Sequence, residues 1–166
     1  MSQQKFINRT EEITFLKKKY QSRNAEFIIL YGRRRIGKSE LIVQFMKEKG
    51  IYYLCSTEGD ANNIARFMKY CKNYFQDDIF EQVQAKDWRG VFKLLKQHAP
   101  SGKKLVIALD EFPFLIQEDE SLPSRLQRVW DLTLQETGMT IVLVGSSISV
   151  MEEKVLSGSA PLYGRR

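Results

Sequence analysis

Four short apolar runs punctuate the chain, and around them apolar residues recur at helical spacing. FIILY (27–31), IYYLC (51–55), LVIAL (105–109) and TIVLVG (140–145) are continuous and rich in branched or aromatic residues, as strands buried on both faces are. Ile13, Leu16 and Tyr20 share one face of a segment opened by a capping-box-like pair, Asn8 and Glu11. A helix is expected from about Lys38 to Lys49, closed by Gly50. Asp60 is expected to cap a helix carrying Ile64, Phe67, Met68, Cys71 and Phe75. Asp87 opens another, with Trp88, Val91, Phe92 and Leu95 inward, which stops near Pro100 and Gly102. Ser121 to Glu136 reads as a helix with Leu126, Val129, Trp130 and Thr133 on one side. A short amphipathic turn through Ile148, Met151 and Val155 precedes PLYGRR. The one long connection, around 111–123, is acidic and marked by proline. Apolar strands alternating with amphipathic helices imply an α/β fold, a parallel sheet with helices on both faces.

Composition narrows the class. A chain of 166 residues fits one domain and can bury roughly 70% of its unfolded surface. With 43% hydrophobic residues and a net charge of +6 it is not a disordered chain. No apolar run approaches the roughly 20 residues that span a bilayer. The start, MSQQKFINRTEE, lacks the apolar stretch of a signal peptide, so a cytoplasmic protein without a membrane partner is expected. Two cysteines (Cys55 and Cys71) and a single histidine, His98, exclude a disulfide framework and any Cys/His metal centre. Residues 1–50 hold 12 Lys/Arg against 5 Asp/Glu, while residues 101–166 hold 7 against 9. The basic first third suits a small polyanion such as a nucleotide triphosphate, and equally suits nucleic acid. No zinc-finger spacing, RRM-like aromatic motif or arginine-rich tail supports nucleic acid for this segment.

Gly32-Arg33-Arg34-Arg35-Ile36-Gly37-Lys38-Ser39 matches GxxxxGK[ST], after a strand and at the opening of a helix. Such glycines let backbone N–H groups converge on a phosphate cluster, and the helix N-terminus adds partial positive charge. Lys38 can reach the β- and γ-phosphates, and the Ser39 hydroxyl can ligate Mg²⁺. Asp110 and Glu111 end an apolar strand 72 residues after Lys38, at the sheet edge where open α/β folds bind ligands. Asp110 is expected to organise the metal and Glu111 to polarise an attacking water. Gly145-Ser146-Ser147 ends the fourth strand; a hydroxyl there can bond the γ-phosphate or the water, and Ser146 can equally be a helix cap before Ile148. Side chains of Arg33, Arg34 and Arg35 are expected to face solvent while their backbone cradles phosphate. Arg165 and Arg166 could place a cation on the γ-phosphate.

FINRTEEITFLKKKY, YGRRRIGKSELI, LVIALDEFPFLI, VGSSISVME and PLYGRR together resemble the archaeal-type ATPase family, prokaryotic P-loop ATPases related to the STAND and AAA+ groups. The resemblance spans nearly the whole chain. It implies strand order 5-1-4-3-2, with the strand ending at Gly145 between the Gly32 and Asp110 strands. It places Walker A on Gly32 to Ser39, with Glu40 next in the helix, and Walker B on Asp110 and Glu111. Sensor 1 falls on Ser146 or Ser147. The Asn8-Arg9 region resembles the segment lying against adenine and ribose, and Arg165 and Arg166 resemble the family's GRR motif. Family members usually continue through a fifth strand, a helical lid and often a further C-terminal domain. The chain therefore reads as one ATPase domain over 1–166, an N-terminal segment 1–24 and a nucleotide-binding core 25–166. A truncated piece or fragment gene is expected, with homo-oligomerisation or a downstream domain as possible partners.

The leading expectation is a Mg²⁺-dependent ATPase. A nucleotide-gated switch with negligible turnover is the alternative, and a P-loop kinase a weaker one, since no arginine-bearing lid is legible.

Overall fold

A computed structural model describes residues 9–164. In chain order its elements are α1 (Thr10–Gln21), β1 (Glu26–Tyr31), α2 (Lys38–Met46), β2 (Gly50–Leu54), α3 (Asp60–Phe75), α4 (Ile79–Gln82) and α5 (Trp88–His98). There follow β3 (Val106–Asp110), α6 (Pro113–Glu118), α7 (Leu122–Val129), β4 (Thr140–Gly145) and α8 (Ile148–Met151). π-Helical turns continue α7 over Trp130–Leu134 and α8 over Glu152–Leu156. The four strands form one parallel sheet in the order β1-β4-β3-β2. The β4 strand lies between β1 and β3, as the resemblance implied, and β1 is an edge of the described sheet.

Alternation along the strands divides the core. Phe27, Ile51, Tyr53, Ile107, Leu109, Ile141 and Leu143 face a layer that includes Phe67, Phe92 and Leu126 of α3, α5 and α7. Ile28, Val106, Ala108, Val142 and Val144 face the opposite layer, Leu16 of α1 with Leu41, Ile42 and Phe45 of α2. Both faces are thereby removed from water, which is why the strands carry no polar alternation. Lys104, just before β3, ties the foot of the sheet to the end of α1, its ammonium donating to the carbonyls of Lys19, Ser22 and Asn24, each at 2.8 Å.

Several expectations need correction. The α2 helix ends at Met46, and Gly50 is no helix terminator; it opens β2 opposite Val106, where a Cβ would lie 1.8 Å from the Val106 carbonyl oxygen. Asp60 is the first residue of α3, whose cap position is Gly59, and its carboxylate accepts from Trp88 Nε1 at 3.3 Å. By contrast Asp87 does cap α5, accepting the Gly90 amide at 2.8 Å. The 111–123 connection is not a plain loop, because Pro113 sits in the first turn of α6, a position that needs no N–H. The helix read over 121–136 is α7 plus its π turn, and fully buried Leu134 takes the inward place expected of Thr133. Asn8 lies outside the described residues, and Arg9 holds the cap position of α1.

Candidate functional site

Three strand ends meet at one edge of the sheet. Tyr31 of β1 pairs with Gly145 of β4, and the next amide, Gly32, donates to the Gly145 carbonyl at 3.3 Å. Phe112, two residues past Asp110, donates to the Val144 carbonyl at 2.9 Å. These ladder bonds bring the Gly32–Ser39 loop, Asp110-Glu111 and Ser146 side by side.

The loop between β1 and α2 depends on a left-handed residue at its end. Gly37 has φ +81° and holds the N-cap position, so no side chain blocks the first amides of α2. Arg33, Arg34 and Arg35 are exposed, as expected, and so are Ile36, Ser39 and Glu40. Lys38 is buried at 6% exposure, its ammonium turned into the loop and donating to the carbonyls of Gly32 at 2.8 Å and Arg33 at 2.7 Å. Burial pulls the Lys38 pKa down, Glu111 and Asp110 oppose that shift, and Arg9 adds to it. Arg9 itself donates to the Ile36 carbonyl and pairs with Glu12 at 3.3 Å, tying α1 to the loop.

Asp110 is 1% exposed, and both its oxygens are engaged. Its Oδ1 accepts the Glu111 amide at 2.8 Å, and its Oδ2 accepts the Tyr52 hydroxyl at 2.5 Å. Burial, and then the Asp110 carboxylate, push the Tyr52 phenol well above its ordinary value of 10.0, so the hydroxyl stays a donor. Glu111 adopts φ +53°, and its two carboxylate oxygens accept the Ser146 hydroxyl at 2.6 and 2.8 Å. Ser146 is therefore not a helix cap; Ser147 holds the cap position of α8, without a side-chain capping bond. Arg165 and Arg166 lie outside the described residues.

Among the described residues no group of three or more His, Cys, Asp or Glu gathers as a metal site. The Ser39 hydroxyl and the Asp110 carboxylate are hard-oxygen donors from α2 and β3, both neighbours of the Tyr52 phenol. That pair fits Mg²⁺, which takes few protein ligands and completes its shell with water and phosphate oxygens. From sequence alone Tyr52 is legible only as part of a strand. A tyrosine in an otherwise apolar run beside the strand ending in Asp110 was the available signal, because a buried phenol needs a polar partner.

A four-stranded parallel sheet in this order, with its glycine loop, lysine and acidic pair at one edge, has the architecture of a P-loop ATPase domain. Residues 6–166 match the family of ATPase domains found predominantly in Archaea, and the chain belongs to that family. A protein of Methanocaldococcus jannaschii is 39% identical over 161 residues, covering 97% of this chain and 34% of that protein. An ATP-binding protein of the same organism is 52% identical over 46 residues, covering 28% of this chain and 78% of that protein. Among solved structures, a Walker-type ATPase of Pyrococcus abyssi aligns with TM-score 0.70 and 21% identity, covering 96% of this chain and 51% of that one. The ORC2 protein of Aeropyrum pernix, solved as ADPNP and ADP complexes, aligns with TM-score 0.64 and 18% identity, covering 90% and 44%. At these identities the two structures show the shared fold. The chain spans about a third of the first relative and about half of each solved chain. Among the described residues no helix is long and apolar enough to cross a membrane.

Proposed function

We propose that this chain carries a Mg²⁺-dependent ATP-binding and ATP-hydrolysing core. The observation that supports it best is the convergence of Lys38, Asp110 and the Glu111–Ser146 pair at the ends of β1, β3 and β4. The name of the ATP-binding relative points the same way. In this reading the segment 1–24 flanks a nucleotide-binding core 25–166, and downstream regions or a second copy complete the working protein.

The roles follow from position. Backbone amides from Gly32 to Ser39, at the positive end of α2, hold the polyphosphate. Lys38 exchanges its two carbonyl partners for β- and γ-phosphate oxygens. Ser39 and Asp110 hold Mg²⁺, which when bound neutralises charge on the phosphate oxygens. Glu111 orients the attacking water and accepts its proton, while Ser146 sets the direction of that carboxylate. The family resemblance, rather than position, assigns Asn8 and Arg9 to the nucleoside and Arg165 and Arg166 to the transferring phosphate.

One observation favours a slow, switch-like variant of this function. The Ser146 hydroxyl already donates to the Glu111 carboxylate, so an attacking water is left only the remaining lone pairs of the base. Calorimetric titration of ATP with and without Mg²⁺, followed by steady-state phosphate release on the same sample, separates the readings. Binding with turnover establishes the hydrolase, binding with negligible turnover the switch, and absence of binding overturns both.

A further inference from the structure

The β2 strand places one more polar group at this edge, from an element outside the loop and acidic motifs. Tyr52 pairs in register with Ala108 of β3 and packs against the α1–α2 layer, so its ring is anchored in apolar surroundings. Its hydroxyl donates to Asp110 Oδ2 at 2.5 Å, and Ser39 of α2 is among the polar neighbours of the phenol. Because Oδ1 already accepts the Glu111 amide, each Asp110 oxygen has one fixed donor and spare lone-pair capacity. The carboxylate can then neither rotate nor lose its outward acceptor sites.

We propose that Tyr52 is a positioning residue for the divalent cation, its hydroxyl fixing the Asp110 carboxylate so that this oxygen donor stands ready before the metal–nucleotide complex arrives. The inference rests on the ATP-binding reading above and deepens it. Asp110 and Ser39 belong to different elements, the end of β3 and the first turn of α2. A bond from β2 holds the Asp110 carboxylate in place more firmly than the end of β3 could alone. Partners of this outer kind typically govern metal affinity by about 10–100-fold. A tyrosine suits the task because its long reach has only two side-chain torsions to freeze.

Tyr52→Phe removes the hydroxyl and keeps the ring, and Tyr52→Met removes the donor with a different apolar filling. Dissociation constants for a non-hydrolysable ATP analogue are measured by calorimetry for wild type and both variants, each with Mg²⁺ and with EDTA. The EDTA value is expected to stay within about twofold, while the tightening conferred by Mg²⁺ falls about tenfold in both variants. The readout is a ratio within each protein, so general loss of stability cancels. An unchanged ratio in a folded variant, or equal loss in both conditions, overturns the role of Tyr52 and leaves the ATP-binding reading intact. Failure of wild type to bind the analogue under either condition overturns the ATP-binding reading and this inference with it.

Discussion

Lys38 shows how a single side chain can be held ready. Its ammonium is buried, yet it is satisfied by two carbonyls of its own loop rather than by a carboxylate. Partners of that kind are neutral, so an incoming polyphosphate offers the cation a stronger pairing. Lys38→Ala is expected to weaken ATP binding at least ~100-fold, on the order of 3 kcal/mol; calorimetric affinity close to wild type would overturn the loop assignment. Glu111 is held differently. A non-glycine residue at φ +53° carries backbone strain, typically about 1–3 kcal/mol, and the Ser146 hydroxyl grips the side chain at both oxygens. Glu111→Gln keeps the shape and removes the basicity. Nucleotide affinity should persist while phosphate release falls ~10²–10⁴-fold, and retained hydrolysis would move the base elsewhere.

At the scale of elements, α1 is fastened at both ends. Arg9 joins its start to the Ile36 carbonyl, and Lys104 gathers three carbonyls around its end. Glu26, at the start of β1, pairs with Lys19 at 2.8 Å. Burial pulls the Glu26 carboxyl up, but hydrogen bonds from Lys19 and Ser22 and the charges of Lys19 and Lys104 outweigh it, leaving the pKa below its ordinary 4.5. A depressed folded pKa contributes stability above the unfolded value and loses it as pH falls through the folded value, so this corner weakens in acid. Lys104→Met removes three charge-assisted bonds and one of the cations beside Glu26. It should cost about 2 kcal/mol in urea unfolding and move the acid-unfolding midpoint to higher pH. A midpoint unchanged in both experiments would show that Lys104 is not the tie it resembles.

For the whole molecule, the site is a property of the sheet edge, assembled only when β1, β4, β3 and β2 are paired. A ligand that binds this edge and not the unfolded chain must stabilise everything at once. ATP with Mg²⁺ at about a hundredfold excess over its dissociation constant should add about 2.7 kcal/mol. For a domain of this size that is a rise in Tm of roughly 5–10 °C, measured by thermal unfolding. Lys38→Ala should show no such rise. A wild-type Tm indifferent to nucleotide would overturn binding at this edge.

Strand positions and the inward faces of α3, α5 and α7 were legible in the sequence, because burial imposes a period that each segment carries by itself. The places of the Gly32–Ser39 loop and of Asp110-Glu111 at strand ends were legible for a related reason: a glycine turn after a strand and carboxylates closing an apolar run are local signals. Segment boundaries set by distant contacts were not. Gly50 has the look of a helix terminator, yet its lack of a Cβ answers to the Val106 carbonyl across the sheet. Asp60 has the look of a cap, yet its partner is Trp88, 28 residues away. Tyr52 and Asp110 lie 58 residues apart, as Ser146 and Glu111 lie 35 apart. No local pattern records such pairs, because strand order alone decides which side chains become neighbours. The sequence by itself therefore determined the four strands, the longer helices that cover them and the α/β class, whose causes are local. Tertiary structure decided which hydroxyl holds which carboxylate, since those bonds exist only once parallel pairing has brought the strand ends together.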